Sequence, residues 1–218
     1  MRSSAGYEAS LTLAFTKHET SAWPTLTSSD CGTRVCALDE ARSRDLLAGR
    51  AAARLAIAGA LGIQDAERIV LRARRDMSPA AFILSARGVL DELPVALSIT
   101  HSAGRAVAAA AHHSTCLGLD LERCGSVRGS QLRYFLTPAE RRGGKRHSPT
   151  TLWVLKEAAW KALGCNSQTP FSAVALHFDE RECVAAVSRD GRTIGVRASL
   201  LQPWPGFICA AIAVGEPV

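Results

Sequence analysis

The feature that most restricts what this chain can fold into is a pattern that occurs twice: one stretch with helical apolar spacing, followed by several short apolar runs of strand length. The first helical stretch runs from about Glu40 to Leu61, where Leu46, Leu47, Ala51, Leu55, Ala58 and Leu61 recur, with Asp39 as N-cap and Gly62 as the stop. Its other face carries Arg42, Arg50 and Arg54, which taken alone reads as a solvated face. The second helix opens at Ser148-Pro149, carries Leu152, Leu155, Ala159 and Ala162 as its stripe, and stops at Gly164.

Strand signals surround both helices. Ser10 to Thr16 precedes the first; Ile69 to Arg72, Phe82 to Ser85, Val95 to Thr100 and Ala106 to Ala111 follow it. Cys116 to Glu122 comes so soon after Ala111 that the two runs predict a hairpin. Thr137-Pro138-Ala139-Glu140 is a capping box with Pro at the first helical position, ended by Arg141-Arg142-Gly143-Gly144, and a basic loop reaches to His147. The tail predicts strands at Ser172 to Phe178, Cys183 to Ser188, Thr193 to Ala198 and Phe207 to Val214, with Arg189-Asp190-Gly191-Arg192 as a turn. Helix plus strands, twice over, implies an α+β fold in two similar halves, 1–113 and 114–218. A chain of 218 residues is long enough to bury about 70% of its unfolded surface, which argues against disorder. No apolar run approaches the ~18 residues needed to cross a bilayer, and no signal-like segment opens the chain, so a cytoplasmic protein is expected. The seven cysteines are odd in number and form no C-x-x-C pair; Cys31 with Cys36 lacks a second pair for a zinc site, so all read as reduced thiols.

Three elements can carry chemistry. In Gly118-Leu-Asp120-Leu-Glu122 two carboxylates stand at i and i+2 of an apolar strand and so share one face. Buried, such a pair needs a cation, and its oxygens suit a hard one such as Mg²⁺; exposed, it is an ordinary edge strand. On the second helix Glu157 and Lys161 are i, i+4 neighbours: either a surface ion pair, or a third carboxylate for a metal with a lysine reaching a phosphate. Trp153 and Trp160 read as packing groups. In Ser98-Ile-Thr100-His101-Ser102 a histidine sits at a strand-to-loop junction, where binding groups tend to be presented.

Taken in order and spacing, these three elements resemble the signature of the 4′-phosphopantetheinyl transferases, and within that family the larger, monomeric type that activates peptide and polyketide synthetases. The segment Leu46-Leu-Ala-Gly49-Arg50-Ala-Ala-Ala-Arg54 is similar to the first helix of that type, so the resemblance spans residues 40–164. It implies a pseudo-twofold relation between the halves and a transfer of the 4′-phosphopantetheine arm of coenzyme A to a serine of an acidic acyl or peptidyl carrier protein. It implies that Asp120, Glu122 and Glu157 hold Mg²⁺ (Mn²⁺ is equally compatible), that Glu157 is the base, directly or through water, and that Lys161 serves the departing 3′,5′-adenosine bisphosphate. His101, with Thr100 beside it, is implied to contact a coenzyme A phosphate, and Arg42 and Arg50 to clamp the nucleotide phosphates. Thr100 and Val154 depart from the family's usual residues. The Gly-Lys/Arg-Pro signature before the histidine is not intact, and Arg87 is its nearest substitute.

The net charge of +6 is open to other readings. A nucleic-acid-binding module would show basic residues clustered with exposed aromatics, and the one dense cluster is Arg141, Arg142, Lys145 and Arg146. A transferase-like protein that binds coenzyme A without turnover is the third possibility, against which the retained carboxylates and Lys161 argue. With coenzyme A and an acidic carrier as partners, the charge has two destinations: a phosphate clamp, and a docking surface at Arg141 to Arg146.

Overall fold

The chain opens with strand β1 (Thr12–Lys17) and helix α1 (Glu40–Leu61), continues through β2 (Ile69–Ala73), β3 (Pro79–Leu84) and β4 (Leu90–Glu92), and closes its first half with β5 (Val95–Ser102) and β6 (Arg105–His112). The second half repeats that order: β7 (Cys116–Arg123), a short α2 (Pro138–Gly143), α3 (Pro149–Ala162), then β8 (Val174–Phe178), β9 (Val184–Arg189), β10 (Arg192–Gly195), β11 (Arg197–Leu201) and β12 (Phe207–Val214). The structure, a computed structural model, describes residues 12–17, 40–74, 78–112 and 115–214. Residues 10, 11, 31, 36 and 39 fall outside these, as does the expected division between 113 and 114.

Strand pairing repeats with the element order. In each half the opening strand pairs with the closing one, giving sheets β1-β6-β5 and β7-β12-β11, and the middle strands form antiparallel meanders, β2-β3-β4 and β8-β9-β10. The fold is therefore α+β, as the order of helices and strands implies.

Two strand expectations are corrected. β6 and β7 do not form a hairpin: β6 has β5 on one edge and β1 on the other, so no edge is left for β7, which pairs with β12. The hairpin is β5–β6, turning on Ala103 and Gly104, both at positive φ, the type I′ requirement. The single tail strand expected at Thr193 to Ala198 is two strands, β10 on β9 and β11 on β12.

The helical stripe of α1 is also rotated from the expectation. Ala48, Ala52, Ala53, Ala56 and Ile57 are fully buried, whereas Leu55 is 53% exposed. The reason lies in β6, where Ala108 and Ala110 face α1 in one cluster; small groups on both sides bring helix and strand too close for a leucine. Arg54 is not solvated: it is buried, and its Nε donates to the Ile69 carbonyl at 2.9 Å, tying α1 to β2. The alternate β6 residues, Val107, Ala109 and Ala111, face the other way and pack with Leu117, Leu119 and Leu121 of β7 and with Cys209 and Ala211 of β12, which joins the halves.

Helix α3 begins and ends as its sequence dictates. The Ser148 hydroxyl accepts from the Thr151 amide at 3.1 Å, Pro149 occupies the first turn, and Gly164 follows the last turn at φ +64°. Leu152, Val154, Leu155, Ala158 and Ala159 bury its apolar side against Val174, Leu176, Ala210 and Ile212. Its contact with β7 turns on one residue: a Cβ at position 118 would stand 1.8 Å from the Ala158 carbonyl oxygen and 2.5 Å from the Ala162 nitrogen.

Both are backbone atoms of a packed helix and cannot yield cheaply, so Gly118→Ala is expected to lose about 3 kcal/mol or more. At the slope usual for chains of this size, that is roughly a 6–12 °C fall in Tm. Calorimetry that finds Tm unchanged would show that α3 does not sit this close to β7.

Candidate functional site

The two halves meet where β5 and β7, members of different sheets, run side by side. Hydroxyls on alternate β5 residues stand in for a backbone ladder: the Leu119 amide donates to Ser98 Oγ at 3.0 Å and the Leu121 amide to Thr100 Oγ1 at 3.2 Å. The same row then reaches carboxylates. Thr100 Oγ1 donates to Asp120 Oδ1 at 3.1 Å, and Ser102 Oγ donates to Glu122 Oε2 at 3.1 Å. Sequence reasoning singled out Thr100 but missed Ser98 and Ser102; the available signal was three hydroxyl residues at period 2 in one strand.

Asp120 and Glu122 alternate with Leu119 and Leu121, which are turned toward β6, so both acids lie on the side of β7 that faces α3. There Lys161 closes the arrangement. Its Nζ stands 3.0 Å from Asp120 Oδ1 and 3.0 Å from Glu157 Oε1, and donates to the Leu119 carbonyl at 3.1 Å. The Glu157–Lys161 pair is therefore no isolated surface bridge: it is joined to a buried acid from another element.

Electrostatics follow from this geometry. Asp120 is 3% exposed, and its Oδ2 has no hydrogen-bond partner. Burial pushes its pKa from 3.8 up to about 7, with the Lys161 ammonium opposing and the Glu157 carboxylate reinforcing the rise. Burial works against the Lys161 charge too, but the two carboxylates outweigh it and its pKa is raised. Lys161 thus stays protonated at neutral pH.

The carboxylates match a hard cation in donor chemistry: all are oxygen ligands, and Asp120 Oδ2 is a buried oxygen without a partner. As placed, no three acidic, histidine or cysteine groups among the described residues enclose an ion. The Lys161 ammonium lies between Asp120 and Glu157 instead.

The remaining residues stand elsewhere. His101 alternates with Thr100 and Ser102 and so leaves β5 on the α1 side, where its Nδ1 is 3.8 Å from Asp45 Oδ2 and its side chain is half exposed. Arg50 is half-buried on the same helix, and the Arg42 side chain lies outside the described residues. Arg87 is on the exposed turn between β3 and β4. The site residues form two groups, one of α3 with β7 and one of α1 with the end of β5, joined through Thr100 and Ser102. A cleft of about 640 Å³ opens at the opposite end of the seam, where Val95, Leu97, Leu117 and Leu163 line it together with Lys161.

Residues 116–209 match the family model of the 4′-phosphopantetheinyl transferase superfamily. The matched stretch holds Asp120, Glu122, Glu157 and Lys161, while Arg42, Arg50, Arg87, Thr100 and His101 lie before it. No curated protein matches the chain.

The raised pKa of Asp120 has a measurable sign. Between pH 3.8 and about 7 the folded chain keeps a proton that the unfolded chain has lost, so this group makes stability fall as pH rises through that window. Asp120→Asn removes the titration, so the variant is expected to gain on the wild type by about 1.4 kcal/mol per pH unit across it. Denaturation midpoints in metal-free buffer at about pH 5 and about pH 7 give the comparison; a constant gap would contradict a buried, raised Asp120.

Proposed function

We propose that the chain, whose residues 116–209 match the 4′-phosphopantetheinyl transferase superfamily model, transfers the 4′-phosphopantetheine arm of coenzyme A to a serine of an apo carrier protein. The observation that carries this reading is Lys161, a protonated lysine held by a buried and a partly buried carboxylate from two elements at the junction of the halves. That arrangement suits phosphoryl transfer, where charge moves onto a departing phosphate and a hydroxyl proton must leave.

In this reaction the serine oxygen forms a bond to the β-phosphorus of coenzyme A as the bond to 3′,5′-adenosine bisphosphate breaks. Glu157 takes the serine proton, directly or through water; its side chain is about as exposed as that of Lys161, so both are reachable from solvent. Lys161 offers its ammonium to the departing phosphate oxygen. Asp120, Glu122 and Glu157 are the residues that would hold Mg²⁺ or Mn²⁺, which when bound neutralises charge on the phosphoryl oxygens. Thr100 and Ser102 hold Asp120 and Glu122 in place through the hydrogen bonds described above. His101, Arg50 and Arg42 form the phosphate-binding side contributed by α1 and β5, and Arg87, on the turn between β3 and β4, is a further coenzyme A contact in this reading.

Residues 1–113 thus supply the coenzyme A contacts and 114–218 the carboxylates and Lys161, which lets one cytoplasmic monomer of the larger type act alone. The carrier, an acidic helical protein of a peptide or polyketide synthetase, docks on the exposed Arg141, Arg142 and Lys145, beside Arg146, which is paired with Glu182 at 3.3 Å.

Incubation with coenzyme A, Mg²⁺ and a panel of apo carriers is expected to add one phosphopantetheine to at least one of them, read by intact mass. Glu157→Gln and Lys161→Ala should each lower kcat on the order of 10²-fold while leaving the fold intact. Wild-type rates in both variants would return the pair to a surface salt bridge. Tight, salt-sensitive binding to random DNA with no mass gain on any carrier would favour a nucleic-acid module instead.

A further inference from the structure

Lys156 immediately precedes Glu157 in α3, yet its side chain is 0% exposed and takes no part in the seam. Its ammonium donates to Glu140 Oε1 at 2.6 Å and also to the Val174 carbonyl. Glu140, 2% exposed, is the third residue of α2 and closes the capping box that opens it; its Oε2 accepts from the Thr137 amide at 2.7 Å. Its Oε1 accepts a second bond, from the Leu176 amide at 3.0 Å.

The positions of these partners matter. β8 is an edge strand of β10-β9-β8, and the Val174 carbonyl and the Leu176 amide lie two residues apart on its unpaired edge. Lys156 supplies the donor and Glu140 the acceptor that another strand would supply. A buried ion pair contributes little net stability compared with apolar packing of similar volume, because both charges lose their hydration. Burial accordingly pulls the Lys156 pKa down, against the support of Glu140. What the pair adds is direction: bonds to two strand groups and one helix N-terminus are satisfied together at one setting of α3.

We propose that Lys156 and Glu140 are positioning residues that fix the rotation and height of α3 against β8, so that Glu157 and Lys161 meet Asp120. The helix is held on both sides. Gly118 lets β7 approach the Ala158 backbone, which sets the distance, and Lys156 engages β8, which sets the angle. One residue along the helix is a turn of about 100°, so a side chain buried against β8 at 156 turns position 157, and 161 one turn later, toward β7. The kinetic consequence rests on the transferase reading; the geometric claim does not.

Lys156→Met keeps the chain length and removes the ammonium. In the carrier assay it is expected to lower kcat at least ~10-fold with both KM values changed less than about threefold, since a misplacement near 1 Å is enough for that loss. Glu140→Gln, which keeps an acceptor for Leu176, should retain several times the kcat of Glu140→Leu. A kcat for Lys156→Met within about twofold of wild type overturns the proposal. If Lys156→Met does not fold, amide exchange of the wild-type protein decides: the Thr137 and Leu176 amides should exchange as slowly as those inside α3, and exchange at the rate of open loops overturns it. If the wild type modifies no carrier, the transferase reading falls, and the same exchange measurement still judges the clamp.

Discussion

The close approach of α3 to β7 is the constraint on which the site depends. A lysine side chain spans only a few ångströms, and Lys161 reaches both the Leu119 carbonyl and Asp120 because position 118 has no Cβ to hold the helix away. The same approach buries Asp120, which raises its pKa to about 7, and the rise in turn depends on how much of the Lys161 charge offsets the lost hydration. Packing, ionisation and the three-centre contact are thus consequences of one glycine, and a change there would alter all of them together.

Local signals made the second half legible. Ser148, Pro149 and Gly164 bound α3 through caps that act within a few residues, and the i, i+2 acids share a face whatever their surroundings. The Thr137 to Glu140 capping box is likewise the one observed, because both of its hydrogen bonds are local. What the sequence could not convey is which edge or face another element already fills. The adjacent apolar runs of β6 and β7 imply a hairpin until β1, far away in the chain, takes the second edge of β6. Arg54 reads as solvated until β2 presents a carbonyl to it, and Leu55 reads as core until alanines on two elements close that space.

The candidate site shows the same division. Asp120, Glu122, Glu157 and Lys161 carry chemistry by type and spacing, so they could be picked out, and the superfamily match covers all four. His101 stands in the same sequence run as Thr100, but the two side chains leave opposite faces of β5, one toward Asp45 of α1 and the other toward Asp120. Alternation along a strand predicts that split; which partner waits on each face depends on elements tens of residues distant. Ser98 and Ser102 went unnoticed because a hydroxyl in a strand has no pattern of its own until the strand beside it turns out to belong to another sheet.

Helix α3 also resolves a charge problem that the composition poses. Lys156, Glu157 and Lys161 occupy three of six consecutive positions in a helix whose other side is core, and each charge needs a destination. Lys156 is spent internally on Glu140, so it adds nothing to the surface field, while Lys161 is shared by two acids and leaves that corner of the seam negative. A dense positive patch lies elsewhere, on the exposed Arg141 and Arg142 in the last turn of α2 and on Lys145 just after it, and Glu140 caps the first turn of that same helix. Glu140 bonds to Lys156, so a buried ion pair, together with the apolar packing around it, ties the helix that bears Glu157 and Lys161 to α2 and its basic last turn. Under the proposed transfer, an acidic carrier drawn to that surface would meet the seam at a defined angle, which attack on a small phosphoryl target requires and which net charge alone does not provide.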